Sequence, residues 1–279
     1  MNRKRKTANR QRKRRAAQRL RRGIPLLPSL FTVGNLFCGY YSVIATLQGK
    51  YGQAALAIGI ALVADGLDGR IARMTNSQSA FGEAFDSLAD VLTFGIAPAA
   101  LAFSWALWDL QRVGWMTSFF FLACSATRLA RFTVQSAHHD RRYFAGLPAP
   151  PAAAMLASLT FYSPPQVTST AVSYAVVGLI VVLSMLMISK VRYRSFKDVD
   201  LRQRRPYTLI ALLAIGFALI ANAPQTVMLL LAALYVASGP AERLWMQARR
   251  RQHKVAGSEA RADESLELDG TANAGDEDR

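Results

Sequence analysis

The sequence offers few residues for soft-metal or redox chemistry. It has two cysteines, Cys38 and Cys124, both inside apolar segments, and only three histidines. The cysteine spacing matches no zinc or thiol-redox motif, and a free cysteine in apolar surroundings usually behaves as a small hydrophobic residue. We therefore assign no chemistry to either cysteine.

Acidic residues are scarce outside the C-terminal tail. Eight of the 18 lie beyond Gly257, in a segment too poor in apolar residues to fold alone, and ten lie elsewhere. Five of these ten fall within 26 residues bordered by apolar sequence: Asp65, Asp68, Glu83, Asp86 and Asp90. Carboxylates beside a membrane segment are costly unless they are paired or bind a metal, so this cluster needs a functional reason.

Basic residues, in contrast, are abundant, and the net charge is +16. Twelve of the first 22 residues are Lys or Arg, which predicts a disordered arm over residues 1–23. Because the arm runs directly into an apolar segment, its expected partner is an anionic lipid surface and not nucleic acid. A simpler interpretation is that the basic residues only set the orientation of the first helix in the membrane. That apolar segment is long enough to span a membrane and has no clear cleavage site, so we expect it to stay attached.

Long apolar runs dominate the rest of the chain. A membrane-spanning helix needs about 20 mostly apolar residues, and the runs lack the alternation expected of a β-barrel. Eight candidate helices lie near residues 26–47, 51–69, 82–108, 113–134, 148–163, 168–189, 207–222 and 225–240. The predicted fold is all-α, a polytopic transmembrane helix bundle.

The charge of the connections predicts an orientation, since Lys and Arg collect on the cytoplasmic side. One alternate set of connections holds only Lys50, Asp109 and Arg112. The other set holds the basic arm, Arg70, Arg73, Arg141, Arg142, seven basic residues within 190–205, Arg243 and Arg249–Arg251. We therefore expect a multi-pass protein of the inner (cytoplasmic) membrane, with both termini and the aspartate cluster on the cytoplasmic side.

The spacing of the aspartates predicts a metal centre. Asp65 and Asp68 are three residues apart and Asp86 and Asp90 are four apart, so each pair lines one face of a helix. Four converging carboxylates would repel one another unless hard cations compensate their charge. Ligation by oxygen alone suits Mg²⁺ or Mn²⁺, and an EF-hand is excluded because this stretch does not supply its alternating ligands and final glutamate.

Small and basic neighbours favour a phosphate ligand. Gly69 and Gly82 would let a phosphate or a neighbouring helix approach the backbone, and Arg73 adds a positive charge that could clamp a diphosphate. Taken singly, each residue also has an ordinary structural explanation: a helix cap, a packing glycine or a positive-inside anchor. The joint pattern favours a diphosphate held by metal ions at the membrane surface.

These residues form the pattern Asp65-x2-Asp68-Gly69-x2-Ala72-Arg73-x8-Gly82-x3-Asp86-x3-Asp90. At all eight fixed positions it resembles the signature of the CDP-alcohol phosphatidyltransferase family. The resemblance implies that the four aspartates hold two divalent ions and that Asp90 is also the general base that deprotonates the acceptor alcohol. It further implies that Gly69 and Arg73 contact the CDP-lipid, and by position alone that Ser79 does so.

Other stretches resemble one branch of that family, the bacterial membrane-integral phosphatidylserine synthases. They are residues 28–39, 87–99, 128–132, 146–150 and 194–197. The resemblance implies L-serine as acceptor. Arg128 and Arg131, on one face of the fourth helix, could receive its carboxylate or could extend to the interface. Thr32 and Asn35 on the first helix could contact the CDP-lipid or could join helices through hydrogen bonds.

The expected domain organisation follows from the six-helix core of the family. We expect a basic arm over 1–23, the membrane core over 24–206, two additional helices over 207–240 and a disordered tail over 241–279. The expected reaction converts CDP-diacylglycerol and L-serine into phosphatidylserine and CMP, with membrane lipids as further partners and a homodimer left open. Two alternatives stay open: a related transferase that uses glycerol 3-phosphate or an inositol phosphate, and a cation or proton-coupled transporter.

Overall fold

The computed structural model describes residues 26–75, 80–135, 143–189, 192–194, 222–241 and 243. The chain divides into two compact units, Met1–Val236 and Ala237–Arg279. Every described residue of the predicted site belongs to the first unit. The predicted basic arm, most of the seventh predicted helix (207–222) and most of the predicted tail lie outside the described residues.

Helices account for most of the described chain. In chain order they are α1 (Leu26–Leu47), α2 (Tyr51–Thr75), α3 (Ala80–Val91), α4 (Ala97–Ala102), α5 (Gln111–Gln135), α6 (Ala149–Tyr162), α7 (Thr170–Ile188) and α8 (Pro224–Ala241). Two three-residue strands, β1 (Tyr143–Ala145) and β2 (Arg192–Arg194), were not predicted. Within the part of the chain that the structure describes, four stretches are long and apolar enough to cross a membrane: Leu30–Leu47, Phe81–Arg131, Thr170–Ile188 and Pro224–Ala241. The predicted all-α membrane bundle is confirmed.

The third predicted helix, 82–108, corresponds to a continuous helical run that is not α-helical throughout. Two π-helical turns, Leu92–Ile96 and Phe103–Leu107, interrupt it, and a 3₁₀ turn over Trp108–Leu110 ends it. Pro98 gives a local reason for the first interruption, because it has no N–H to donate to the Phe94 carbonyl four residues earlier. Ser125 of α5 donates to that carbonyl instead, with an Oγ–O distance of 3.4 Å.

The hairpin of α1 and α2 determines which residues share an end of the bundle. Gly49, with φ +72°, allows the tight turn after α1, and the Ser42 hydroxyl donates to the Ala54 carbonyl across the pair. The two helices are therefore antiparallel from this turn onward. The first half of α1 must then lie beside the second half of α2, which carries Asp65.

Trp105 closes the opposite end of the bundle from the aspartates. Its side chain is buried, and its indole N–H is shared by the carbonyls of Ser163 and Pro165, both at 2.9 Å. Its own carbonyl accepts from Val167 N–H, and Tyr51 donates to the neighbouring Ser104 carbonyl. These bonds bring together three connections, those after α1, α4 and α6.

The strand pair joins two connections at the other end. β1 and β2 are antiparallel, with Phe144 opposite Tyr193, and Leu147 N–H donates to the Leu186 carbonyl beside them. The connections after α5 and α7 therefore meet. Both belong to the basic set in the sequence, so this arrangement agrees with the predicted alternation, while the cytoplasmic assignment stays a prediction.

Gly39 allows α1 to pack closely against the first π-helical turn. A Cβ built on Gly39 would lie 2.4 Å from Thr93 Oγ1 and 3.0 Å from Thr93 Cα. No real Cβ comes so near a backbone atom and a hydroxyl, so any side chain here would separate the two elements.

We expect Gly39→Ala to destabilise the protein by about 1–3 kcal/mol, the usual cost of overpacking a close contact. The check is the thermal unfolding midpoint of the purified protein in detergent. Gly34→Ala is the matched control, since it lies on the same helix and nothing lies within 4 Å of a Cβ built there. Equal midpoints for the two variants would contradict the contact.

Candidate metal and phosphate site

Three carboxylates from two helices converge at one place. Asp65 comes from α2, and Asp86 and Asp90 come from successive turns of α3. One carboxylate oxygen from each lies within 4.8 Å of the other two, and all three side chains are half-buried. The negative charges of Asp65 and Asp86 act repulsively on Asp90. The spacing of four residues puts Asp86 and Asp90 on one face, which explains the convergence.

The donor set fits a hard divalent cation. Three carboxylates at this separation can share one cation, and oxygen ligands of this kind suit Mg²⁺ or Mn²⁺. Half-burial strengthens the case, because three like charges partly removed from water repel strongly unless a cation neutralises them. The acidic group can therefore bind a metal ion.

Asn35 connects α1 to this centre. It is almost fully buried, at 1% exposure, and its Nδ2 donates to Asp90 Oδ1 at 3.1 Å. Thr93, in the π-helical turn just after α3, donates through its hydroxyl to the backbone carbonyl of Asn35 at 3.1 Å. This network fixes the orientation of one Asp90 oxygen from outside the helix that carries it.

Arg128 of α5 lies within electrostatic range of the same carboxylate. It is half-buried, and its positive charge acts attractively on Asp90. Its Nε is buried and has no acceptor among the described residues. A guanidinium thus stands beside the carboxylate cluster, where an anionic group of a substrate could bind bidentately.

The structure gives different degrees of detail for the other predicted site residues. Asp68, Gly69 and Arg73 lie on α2 one to two turns beyond Asp65, and their side chains are outside the described part of the structure, as is Ser79. Thr32 is buried one turn before Asn35, and Arg131 is exposed one turn after Arg128. The roles assigned to these residues stay predictions.

Sequence reasoning missed two residues near the site. Thr93 lies inside the stretch 87–99, which resembles the phosphatidylserine synthases, but nothing in its local pattern indicates a contact with Asn35. Tyr235, on α8, lies within electrostatic reach of Arg128, and it sits in an apolar run that gave no sign of a polar role. Both placements depend on long-range packing.

The sequence was also compared with known protein families. The CDP-alcohol phosphatidyltransferase family matches residues 25–186, which include all three converging aspartates, Asn35 and Arg128. The chain belongs to this family. It is therefore an enzyme, and its reaction class is transfer of a phosphatidyl-type group from a CDP-linked lipid to an alcohol.

Individual relatives within this family have similar sequences over most of the described chain. A CDP-diacylglycerol–serine O-phosphatidyltransferase of Helicobacter pylori is 36% identical over 175 residues, covering 62% of this chain and 74% of the relative. One from Bacillus subtilis is 33% identical over 172 residues, covering 61% and 91%. One from Mycobacterium tuberculosis is 30% identical over 232 residues and covers 79% of each chain.

Proposed function

We propose that this family member transfers the phosphatidyl group of CDP-diacylglycerol to L-serine, giving phosphatidylserine and CMP. The observation that carries the proposal is the position of Arg128, a half-buried guanidinium whose charge acts on Asp90. An acceptor that brings its hydroxyl to Asp90 would bring a nearby carboxylate to Arg128. The similarity to relatives named as serine transferases supports the same acceptor.

The carboxylates have one shared role and one individual role in this proposal. Asp65, Asp68, Asp86 and Asp90 would hold two divalent ions, Mg²⁺ or Mn²⁺. Such ions, when bound, neutralise the diphosphate of the CDP-lipid and lower the energy of the charge that develops on the departing CMP. Gly69, Arg73, Ser79, Thr32 and Asn35 would contact the CDP-lipid around them.

Asp90 would act as the general base. The serine hydroxyl oxygen forms a bond to the phosphorus of the phosphatidyl group while the bond from that phosphorus to the CMP oxygen breaks. The hydroxyl proton passes to the Asp90 carboxylate. The hydrogen bond from Asn35 is to Oδ1 of Asp90, and Oδ2 receives no bond from Asn35.

Acceptor choice would depend on Arg128, with Arg131 as a second predicted contact. Among the described residues, Arg128 is the one cation whose charge acts on Asp90. A guanidinium can pair bidentately with a carboxylate such as that of serine. The relatives named as serine transferases support serine over the two acceptors of the alternative within the family.

We further propose the placement predicted from loop charge. The enzyme would lie in the inner membrane with its active site at the cytoplasmic surface, where CMP and serine are water-soluble partners. The carboxylates gather at the end of the bundle away from Trp105. A cation or proton-coupled transporter would instead need them near the middle of the bilayer, often with paired broken helices.

The test is release of CMP from CDP-diacylglycerol by the purified full-length protein in mixed micelles. We expect release on addition of L-serine, and less than about a tenth of that rate with glycerol 3-phosphate, inositol phosphate or D-serine at equal concentration. Mass spectrometry of the lipid product should show phosphatidylserine. Release with a phosphate-bearing acceptor alone would overturn the serine assignment, and no release with any of these alcohols would overturn the proposed function.

A further inference from the structure

Helix α1 makes two hydrogen bonds to the segment that carries Asp90, and both involve Asn35. The Asn35 amide donates from Nδ2 to Asp90 Oδ1 at 3.1 Å. The Thr93 hydroxyl, three residues after Asp90, donates to the backbone carbonyl of Asn35, also at 3.1 Å. One bond engages the side chain of Asn35 and the other its backbone, so the residue is held at two points on a single turn of the neighbouring segment.

Gly39 makes room for the second of these bonds. It follows Asn35 by four residues, so the two share a face of α1. A Cβ built on Gly39 would collide with Thr93 Oγ1, which means that the hydroxyl fills the space of the missing side chain. Asn35 thus faces Asp90 while Gly39 faces Thr93. The two segments run in the same direction here, and this close approach fixes their register.

Burial isolates the pair of bonds from water. Asn35 is 1% exposed and Thr93 is fully buried. The Oδ1 atom of Asn35 is also buried, and no donor reaches it in the part of the chain that the structure describes. A buried amide with one atom left without a partner lowers the stability of the fold, so packing alone does not explain an asparagine here.

The orientation of the Asp90 carboxylate matters because two others lie beside it. Oxygens of Asp65, Asp86 and Asp90 come within 4.8 Å of one another. A carboxylate that binds a metal ion must present its oxygen at a fixed place, and an unrestrained side chain rotates between rotamers. Groups that hydrogen-bond to metal ligands supply this restraint, and their loss typically costs about 10- to 100-fold in metal affinity or activity.

We propose that Asn35 is a positioning residue for Asp90: its amide holds the Asp90 carboxylate in the orientation that binds a divalent ion together with the other two converging aspartates. Thr93 supports this role by holding the Asn35 backbone in place. The inference rests on the proposed function, because it takes Asp90 as a metal ligand and as the base for the acceptor hydroxyl. It gives α1, which carries none of the aspartates, a part in preparing the metal site.

The test is Mn²⁺ binding by Asn35→Leu, measured by electron paramagnetic resonance on the purified full-length protein without either substrate. Leucine branches at the same carbon as asparagine and has no atom that donates. We expect Mn²⁺ affinity to fall about tenfold. Since no CDP-lipid is present, a contact of Asn35 with that lipid cannot contribute to the difference. An affinity equal to that of the wild type would overturn the inference.

The transfer rate gives a second readout of the same variant. With Mn²⁺ and both substrates saturating, kcat should fall at least about tenfold, because Asp90 is no longer held in place. Ser42→Ala is the matched control, since Ser42 is buried on α1 about two turns beyond Asn35 and donates to the Ala54 carbonyl. It should leave Mn²⁺ affinity and kcat within about twofold of the wild-type values. Equal losses in the two variants would mean that any buried hydrogen bond of α1 has this effect.

The variants Thr93→Val and Thr93→Ser test the same arrangement from the other segment. Valine keeps the shape of threonine without its hydroxyl, whereas serine keeps the hydroxyl. We expect Mn²⁺ affinity to fall about three- to tenfold in Thr93→Val, the usual effect of losing a hydrogen bond between uncharged groups, and to stay within about twofold in Thr93→Ser. Equal affinities in the two variants would contradict the part given to Thr93. This pair gives a result even if Asn35→Leu does not fold.

A double-mutant cycle separates positioning from a general effect on the fold. In an Asp90→Ala background, Asn35→Leu should change Mn²⁺ affinity by less than about twofold, since the carboxylate that it orients is gone. The same tenfold loss in both backgrounds would refute a role that acts through Asp90.

Failure of the inference is distinguishable from failure of the proposed function. If the wild-type protein binds Mn²⁺ but releases no CMP on addition of serine, the proposed function is wrong, and the Mn²⁺ measurements still decide whether Asn35 positions Asp90. If the wild-type protein depends on serine but Asn35→Leu binds Mn²⁺ as tightly as the wild type, only the inference is wrong.

Discussion

Replacing Asp90 by asparagine should lower the rate of CMP release by about 10²- to 10⁴-fold, the usual contribution of a general base. Asparagine keeps the shape of the side chain and an oxygen that can accept from Asn35 Nδ2, so the network with Thr93 should persist. It removes the carboxylate that would take the acceptor's proton. The measurement is single-turnover CMP release with saturating serine and CDP-diacylglycerol.

The same substitution should not destabilise the protein. Asp65 and Asp86 lie close to Asp90, and asparagine places no further negative charge beside them. We expect the thermal midpoint of Asp90→Asn in detergent without added metal to equal or exceed that of the wild type, a trade of stability for activity that is common at active sites.

Asp109→Asn is the matched control for Asp90, because Asp109 is exposed in the 3₁₀ turn at the other end of the bundle. It should leave both rate and midpoint unchanged. Turnover of Asp90→Asn close to that of the wild type would refute the proposed role of Asp90 as a base.

Removal of divalent metal should abolish transfer. Dialysis against a chelator is expected to leave less than about 1% of the activity, and added Mg²⁺ or Mn²⁺ should restore it, because the diphosphate cannot be neutralised otherwise. Binding gives an independent measurement. Mn²⁺ titration followed by electron paramagnetic resonance should show at least about 100-fold weaker binding in Asp86→Asn. Even substitution of residues that only hydrogen-bond to metal ligands lowers metal affinity about 10- to 100-fold.

Glu83→Gln is the control for the metal experiment. Glu83 is an exposed acidic residue on the same helix, one turn before Asp86, and lies outside the three converging aspartates. Its substitution should leave Mn²⁺ affinity within about twofold of the wild-type value. Full activity in the chelated wild-type protein, or equal Mn²⁺ binding in the two variants, would contradict a metal centre at these aspartates.

Much of the helical framework could be predicted from local sequence. The first predicted helix, 26–47, has the same bounds as α1, and the second extends only six residues beyond its predicted end at residue 69. A long apolar run can be recognised as a helix because a segment in lipid has no water to bond with. It must therefore satisfy its backbone hydrogen bonds internally. The π-helical turns within 82–108 were not predicted, because the effect of Pro98 on the backbone depends on the Ser125 hydroxyl, which reaches Phe94 O from another helix.

The sequence by itself predicts the chemistry of the aspartates. Their regular spacing along two helices, within a chain that has few other acidic residues, predicts a face that holds hard cations and phosphate. This information is local, since residues three or four apart on a helix share a face whatever the rest of the bundle does.

Only the tertiary structure decided what surrounds those aspartates. Asn35 donates to Asp90 across 55 positions of sequence, and Thr93 holds Asn35 across 58. Arg128, on α5, lies within electrostatic range of Asp90, on α3. Such partners depend on how the helices pack, through close approaches such as that of Gly39 to Thr93, and helix periodicity does not indicate which helix will be the neighbour.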